Sequence, residues 1–422
     1  MERRRKTVFK GFGYMQCDDF AAYLSEMATK GWHFKEWKAG LVFEKGVPEA
    51  ARYAVEVFVD GSEYDTRPDV NTLEFAEYCE AAGWKLVDAK RKFVIFKKLR
   101  PDAVEILTPR ERFENIAREV RKEMFRTLGL SYAWVILQLL TFTGSQFVNR
   151  IYSNSHLLVV AVWLSLAFFA TVKLIHYLFW HRKSNQTIRN GGSVYFGGRK
   201  GLLSWEHGWY SWISNAILFA YVGCMFLFGQ YYVAIIVLAF TIILTAMAFA
   251  ISYFRPDSGT NMVVQSVVSV AILIGVFAAA TWIMLSDDSS KPITPELPLY
   301  YEDIGGSAGA IEKVHLDSST SIFGTGMRCW IDYEEEFIYY QVYTSDQEWI
   351  VDRIWKNEMK YRYNQNGQDV TELFGAEEAI RNKNNRYLVK FDDAVWILDF
   401  GPDTLLTAQN VSVIRDALSE SR

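Results

Sequence analysis

Few residues in this chain have the types and spacing for chemistry, and none of those sets completes a reaction. Gly305, Ser307 and Gly309 fit the G-x-S-x-G pattern, in which a serine stands on a strained turn between a buried strand and a helix, with an acid and a histidine far downstream. Here an acidic stretch precedes the pattern, and the only later histidine, His315, follows the serine by eight residues. The glycine-rich stretch 191–201 (GGSVYFGGRKG) offers backbone amides to a phosphate, but Gly198 stands where a P-loop needs lysine, and no strand leads in. The histidines are isolated, with no H-E-x-x-H arrangement. Cys17, Cys79, Cys224 and Cys329 form no C-x-x-C pair, which argues against a zinc site or a disulfide framework. The acidic turn at Glu334, Glu335 and Glu336 lacks the spaced oxygens of a calcium loop. No catalytic residue, cofactor or metal is therefore expected, and a net charge of −4 gives no basic field for direct nucleic-acid binding.

Aromatic residues offer the remaining candidate site. Trp32 and Trp84 each follow a glycine, and together with Tyr23 and Phe75 they are candidates for the walls of a ligand or partner cleft. The competing reading makes each tryptophan a plug for its helix–strand junction. Both belong to an internal repeat. Tyr23, Leu24 and Met27 precede Gly31-Trp32, Phe34 and LVFEK; Phe75, Ala76 and Cys79 precede Gly83-Trp84, Leu86 and FVIFK, at a constant offset of 52 residues. Apolar residues before each glycine have helical spacing and those after it alternate, so each copy reads strand–helix–strand–strand. The simplest assembly is one antiparallel sheet with two helices on one face, spanning residues 1–100.

The KGWHF stretch at 30–34, FEKG at 43–46 and the second AGW at 82–84 resemble the bacterial domain of unknown function 2812, over roughly residues 6–99. The resemblance implies a bacterial membrane protein of an uncharacterised family, with relatives near PadR-type transcriptional regulators, and gives no catalytic residue to carry over. The duplicated module also resembles gyrase-inhibitor-like domains, some of which bind small molecules between their copies.

After residue 100 the pattern changes. Thr108-Pro109-Arg110-Glu111 is a capping box with proline at the first helical position. It opens a basic juxtamembrane helix over 101–127, suited either to anionic lipid or to simple solvation. Five apolar stretches follow, at 128–147, 157–179, 212–228, 232–254 and 263–285, and the expectation is a multi-pass α-helical membrane protein with five transmembrane helices across 128–285. Ala271, Gly275 and Ala279 form a small-residue helix-packing seam in the last. Lysine and arginine placement expects a cytoplasmic N-terminus and an extracytoplasmic C-terminus. Only Lys173 and His176 are ionisable within the stretches, which disfavours ion-coupled transport.

Residues 286–422 read as an extracytoplasmic α+β domain. Strands are expected over 327–333 and 337–343, and again over 387–391 and 395–400. A helix capped by Ser345 carries Ile350, Ile354, Trp355 and Met359, and a final helix covers 407–418. The expected role is a non-enzymatic regulatory or sensory membrane protein that couples this outer domain to a cytoplasmic domain binding a partner such as a transcriptional regulator. The alternative is a transport or efflux component for an apolar solute.

Overall fold

In the computed structural model, residues 4–143, 146–197, 209–227, 229–286, 297–306, 309–401 and 404–420 are described. The chain divides into two compact units, one of residues 1–134 and 162–280 and the other of residues 135–161 and 281–422.

The first unit begins with β1 (Arg5–Val8), α1 (Cys17–Thr29), β2 (Trp32–Trp37) and β3 (Leu41–Lys45). The same order follows in β4 (Tyr53–Val57), α2 (Val70–Ala81), β5 (Trp84–Lys90) and β6 (Phe93–Lys98). The strands make two three-stranded antiparallel sheets, β1-β3-β2 and β4-β6-β5, rather than the single sheet expected. The run FVIF explains the second sheet, because β6 buries both its faces. Phe93 and Ile95 join the core under α1, while Val94 and Phe96 join a separate core with Ala76 and Cys79 of α2.

Glycine ends each helix for a local reason. Gly31 and Gly83 have φ of 77° and 92°, and the amide of each donates back to its helix at 2.9 Å. A Cβ would lie 2.9 Å from the Gly46 carbonyl oxygen at the first and 2.7 Å from Ala103 Cβ at the second. Only glycine fits there without strain. Both sheets also carry a β-bulge just beyond, between Phe34 and Glu36 and between Leu86 and Asp88.

The helices that follow are α3 (Pro109–Leu140), α4 (Gln146–Ile151), α5 (Asn154–Arg189), α6 (Trp209–Leu227), α7 (Tyr231–Phe254) and α8 (Ser258–Ser286). The five-span expectation is overturned: among the described residues, two helices, α5 and α7, are long and apolar enough to cross a membrane. The stretch 128–147 fails because α3 stops at Leu140. Its last residue, Phe147, is buried in the second unit with Val148, Ile151 and Tyr152, against Ile350 and Ile354. Within α6 and α8 the apolar stretches whose side chains are described are Ala216–Leu227 and Ser258–Ile272. In the best apolar windows of α5 and α7 only 11% and 6% of residues are buried, as for surfaces in contact with lipid rather than with a protein core. By length and composition these two helices are compatible with a membrane.

The second unit is built on a seven-stranded antiparallel sheet, larger than the two hairpins expected there from sequence. Its strands are β7 (Ile311–Ser321), β8 (Gly324–Tyr333), β9 (Phe337–Thr344), β10 (Gln368–Asp369), β11 (Glu378–Arg381), β12 (Tyr387–Lys390) and β13 (Ala394–Asp399). They are ordered β10-β11-β12-β13-β9-β8-β7. Its helices are α9 (Glu348–Glu358), α10 (Thr371–Phe374) and α11 (Ala408–Glu420). One face of the sheet is covered by α9 and α4, the other by α11 with Leu297 and Leu299. Gln347 occupies the N-cap position of α9 without a side-chain cap bond; the Ser345 hydroxyl donates to the Phe323 carbonyl oxygen at 2.6 Å and accepts from the Gln347 N–H at 3.1 Å.

Candidate functional site

The features with the most chemistry are buried charges that tie the two small sheets of the first unit to its helices. Arg112 lies one turn into α3, fixed there by the capping box: Thr108 N–H donates to Glu111 Oε2 (3.0 Å) and Glu111 N–H to Thr108 Oγ1 (3.3 Å). Its guanidinium turns inward rather than toward solvent. Nη1 meets Asp18 Oδ1 and Nε meets Glu56 Oε2, each at 2.8 Å, and Nη2 donates to the Val55 carbonyl oxygen at 3.2 Å. Further along α3, Glu119 accepts from Lys92 Nζ at 3.1 Å, with both side chains buried.

One guanidinium serves two carboxylates in the first cluster, and Glu56 is the more deeply buried of the pair. Burial pushes its carboxyl up to about 7, with Arg112 pulling the other way. Burial also pushes the neighbouring Cys17 thiol up, which leaves it an unreactive core residue. The sign for stability follows from proton counting. Between its ordinary 4.5 and about 7, Glu56 holds its proton in the folded state but not in the unfolded one. This group therefore makes folding less favourable as pH rises through that window. We expect Glu56→Gln to flatten the fall in melting temperature from pH 5 to pH 8, measured on the full chain in detergent. An unchanged slope would assign the pH dependence elsewhere.

A second cluster closes on Arg255, which ends α7 in the left-handed conformation, φ 55°. Its Nη2 donates to Asp88 Oδ1 at 2.6 Å and to the Ala89 carbonyl oxygen at 3.1 Å, and Nε donates to the Thr66 carbonyl oxygen at 2.6 Å. Glu36 Oε2 lies 3.6 Å from Nη1. Glu36 and Asp88 are 52 residues apart, each just past the bulge of its own sheet. The two half-modules thus bring equivalent acids to one cation. The other Asp88 oxygen accepts the Trp37 N–H at 2.5 Å, which joins β5 to β2 across the two sheets. Around it, Thr66 Oγ1 donates to the Pro256 carbonyl oxygen and Asn261 Nδ2 to that of Tyr64. Burial holds the Lys90 ammonium down to about 8, with Arg91 and Arg255 adding repulsion; its Nζ reaches the Lys38 carbonyl oxygen at 2.7 Å and Ser252 Oγ at 3.3 Å.

The four aromatic candidates are divided between two cores. Tyr23 and Trp32 pack at the edge of the core under α1, with Lys10 Nζ 4.0 Å from the Tyr23 ring and Lys6 Nζ 5.7 Å from the Trp32 ring. Phe75 stacks on Phe58 at 4.9 Å in the core under α2. Trp84 is buried in that same core, and its Nε1 donates to the Val104 carbonyl oxygen at 2.6 Å. Of the four, Trp84 alone lines a described cleft, one of about 420 Å³ that also contains Asp18, Glu56 and Arg112. In the proposed helix seam, Gly275 faces the Phe240 ring of α7, where a Cβ would sit at 3.5 Å; Ala271 is exposed, and the surroundings of Ala279 lie outside the described residues. Ser307, Ala308 and Gly198 of the two glycine-rich motifs also lie outside them. Among the described residues no group of acids, histidines and cysteines could hold a metal ion.

Reasoning from sequence missed Arg112, Arg255 and their acids. One signal was available, since Glu36 and Asp88 share the repeat offset within otherwise apolar strands. Residues 16–128 match the family model described as Protein of unknown function (DUF2812). The likeness to DUF2812 is confined to this segment. The match takes in α1 through β6 and continues along α3, so the Arg112 and Lys92–Glu119 pairs are internal to the DUF2812 segment. Arg255, by contrast, enters the DUF2812 segment from beyond it, at the end of a helix able to cross a membrane. No curated protein and no solved structure matches the chain.

Proposed function

We propose that the chain is a non-enzymatic regulatory membrane protein in which the DUF2812 segment is the partner-binding element and membrane helix ends set its state. The observation that carries this is Arg255. It closes a lipid-compatible helix and holds acids from both half-modules, so a shift of that helix end acts on both sheets at once. Coupling of this kind needs an element that two inputs bias, and a buried ionic cluster spanning two sheets meets that need.

Orientation follows from charge. Arg182, Lys183 and Arg189 close α5, so the positive-inside bias assigns that end, and the DUF2812 segment that Tyr177 of α5 meets through the Ala117 carbonyl oxygen, to the cytoplasm.

The partner face we assign is α2, which leaves Val70, Leu73 and Tyr78 exposed, a placement unusual for a helix with no occupant. A photo-crosslinking residue at Tyr78, used in living cells with the full chain, is expected to capture a soluble cytoplasmic regulator. Capture of a transport ATPase would replace this reading with the export one, and adducts to lipid alone would remove α2 as a partner face.

A further inference from the structure

The chain leaving α5 is built into the first unit through one short strap. Asp18 N–H donates to the Phe196 carbonyl oxygen at 2.9 Å, and Phe196 N–H donates to Asp18 Oδ2 at 2.7 Å. Tyr195 OH donates to Asp19 Oδ1 at 3.1 Å. The Phe196 ring is 2% exposed, with the Arg112 guanidinium 5.0 Å from its centre and the Trp180 ring 6.4 Å away. Its neighbours on the strap are less buried: Tyr195 is 59% exposed, Gly191 and Ser193 are exposed, and Val194 is half-buried at the edge of the same core. Gly197 has φ of 144°, and a Cβ there would fall 2.2 Å from Asp19 Cγ. Beside the strap lies the cleft of about 420 Å³ walled by Arg52, Glu56, Trp84 and Arg112 and closed on one side by residues 193–196.

We propose that this is a peptide-binding site, filled here by the chain's own residues 193–197 and open to a partner segment of the same chemistry. That chemistry is an extended stretch carrying one aromatic anchor followed directly by glycine. One buried aromatic with paired backbone bonds and exposed flanks is how short segments are recognised by grooves. A core residue, by contrast, is enclosed together with its neighbours in sequence. Exchange of one such segment for another conserves the two backbone bonds and the cation–π contact, so mass action selects the occupant. The strap continues directly from α5, so a partner that displaces it frees a segment tied to a membrane helix end. The site rests on the coupling reading for its use in the cell, but not for the binding itself.

The test uses the full chain in detergent and a fluorescent peptide of its own residues 191–197, GGSVYFG. Gly197→Val forces both backbone and Asp19 apart and should expel the strap while leaving the groove's other residues unchanged. The variant is expected to bind the peptide at least about tenfold more tightly than wild type, because the competent state is no longer masked. A peptide with alanine in place of the phenylalanine should not bind. Chymotrypsin should cut after Tyr195 or Phe196 in the variant and spare wild type. Equal peptide binding by the two proteins overturns the proposal. So does a cut variant that binds no peptide, or a variant strap as resistant as that of wild type. If Gly197→Val fails to fold, Phe196→Ala is used in the same peptide-binding comparison with wild type, under the same criteria.

Discussion

Arg112→Ala is expected to cost the first unit about 3–5 kcal/mol, the range for removing one partner of a buried ion pair. The cost is mostly the stranding of Glu56 and Asp18, whose side chains keep 9% and 20% exposure, together with the loss of the Val55 carbonyl contact. Glu56 can escape part of the penalty by taking up a proton, so the loss should be larger at pH 8 than at pH 5. Arg112→Lys keeps the charge but cannot reach two carboxylates in a fixed fork, and should fall between wild type and alanine. Denaturant unfolding of the full chain, followed by tryptophan fluorescence, reads all three. A loss below about 1 kcal/mol would place the pair with ordinary surface ion pairs.

Arg255→Ala should act locally and on both sheets. It leaves Asp88 and Glu36 without their shared cation and takes a donor from the Thr66 and Ala89 carbonyl oxygens. Asp88 then has less reason to hold the Trp37 amide, so the join between β5 and β2 loosens. A local loss of about 3 kcal/mol raises amide hydrogen exchange roughly a hundredfold where opening is limiting. The rise is expected over residues 64–66, at the Trp37 amide and along β5, with the second unit unchanged. Asp88→Asn should reproduce the effect at the Trp37 amide more weakly, since an amide oxygen can still accept that bond. Exchange left as in wild type would mean that Arg255 rests on the sheets without holding them.

Local features of the fold could be read from the residues that make them. Gly31 and Gly83, the Thr108–Glu111 box, and the hairpins β8–β9 and β12–β13 each depend on neighbours within a few residues. The division into two sheets could not be read, because β6 has one apolar run whether it lies in a six-stranded sheet or in a three-stranded one buried on both faces. The first apolar stretch misled for a related reason. Phe147, its last residue, is apolar because a protein core needs it, and hydropathy does not separate that core from lipid. Arg112 and Arg255 were hidden by distance along the chain, since Arg112 meets an acid 56 residues back and Arg255 one 167 residues back. A basic residue near a membrane reads as a lipid contact until its acids are located.

The central proposal is that the DUF2812 segment lies on the cytoplasmic side of the membrane, where a soluble partner reaches α2. Tyr78 is 78% exposed and tolerates cysteine on that ground. Labelling of Tyr78→Cys in intact cells with a membrane-impermeant maleimide reads its side directly. The account predicts labelling at position 78 only after permeabilisation. Labelling of that position in intact cells would contradict it.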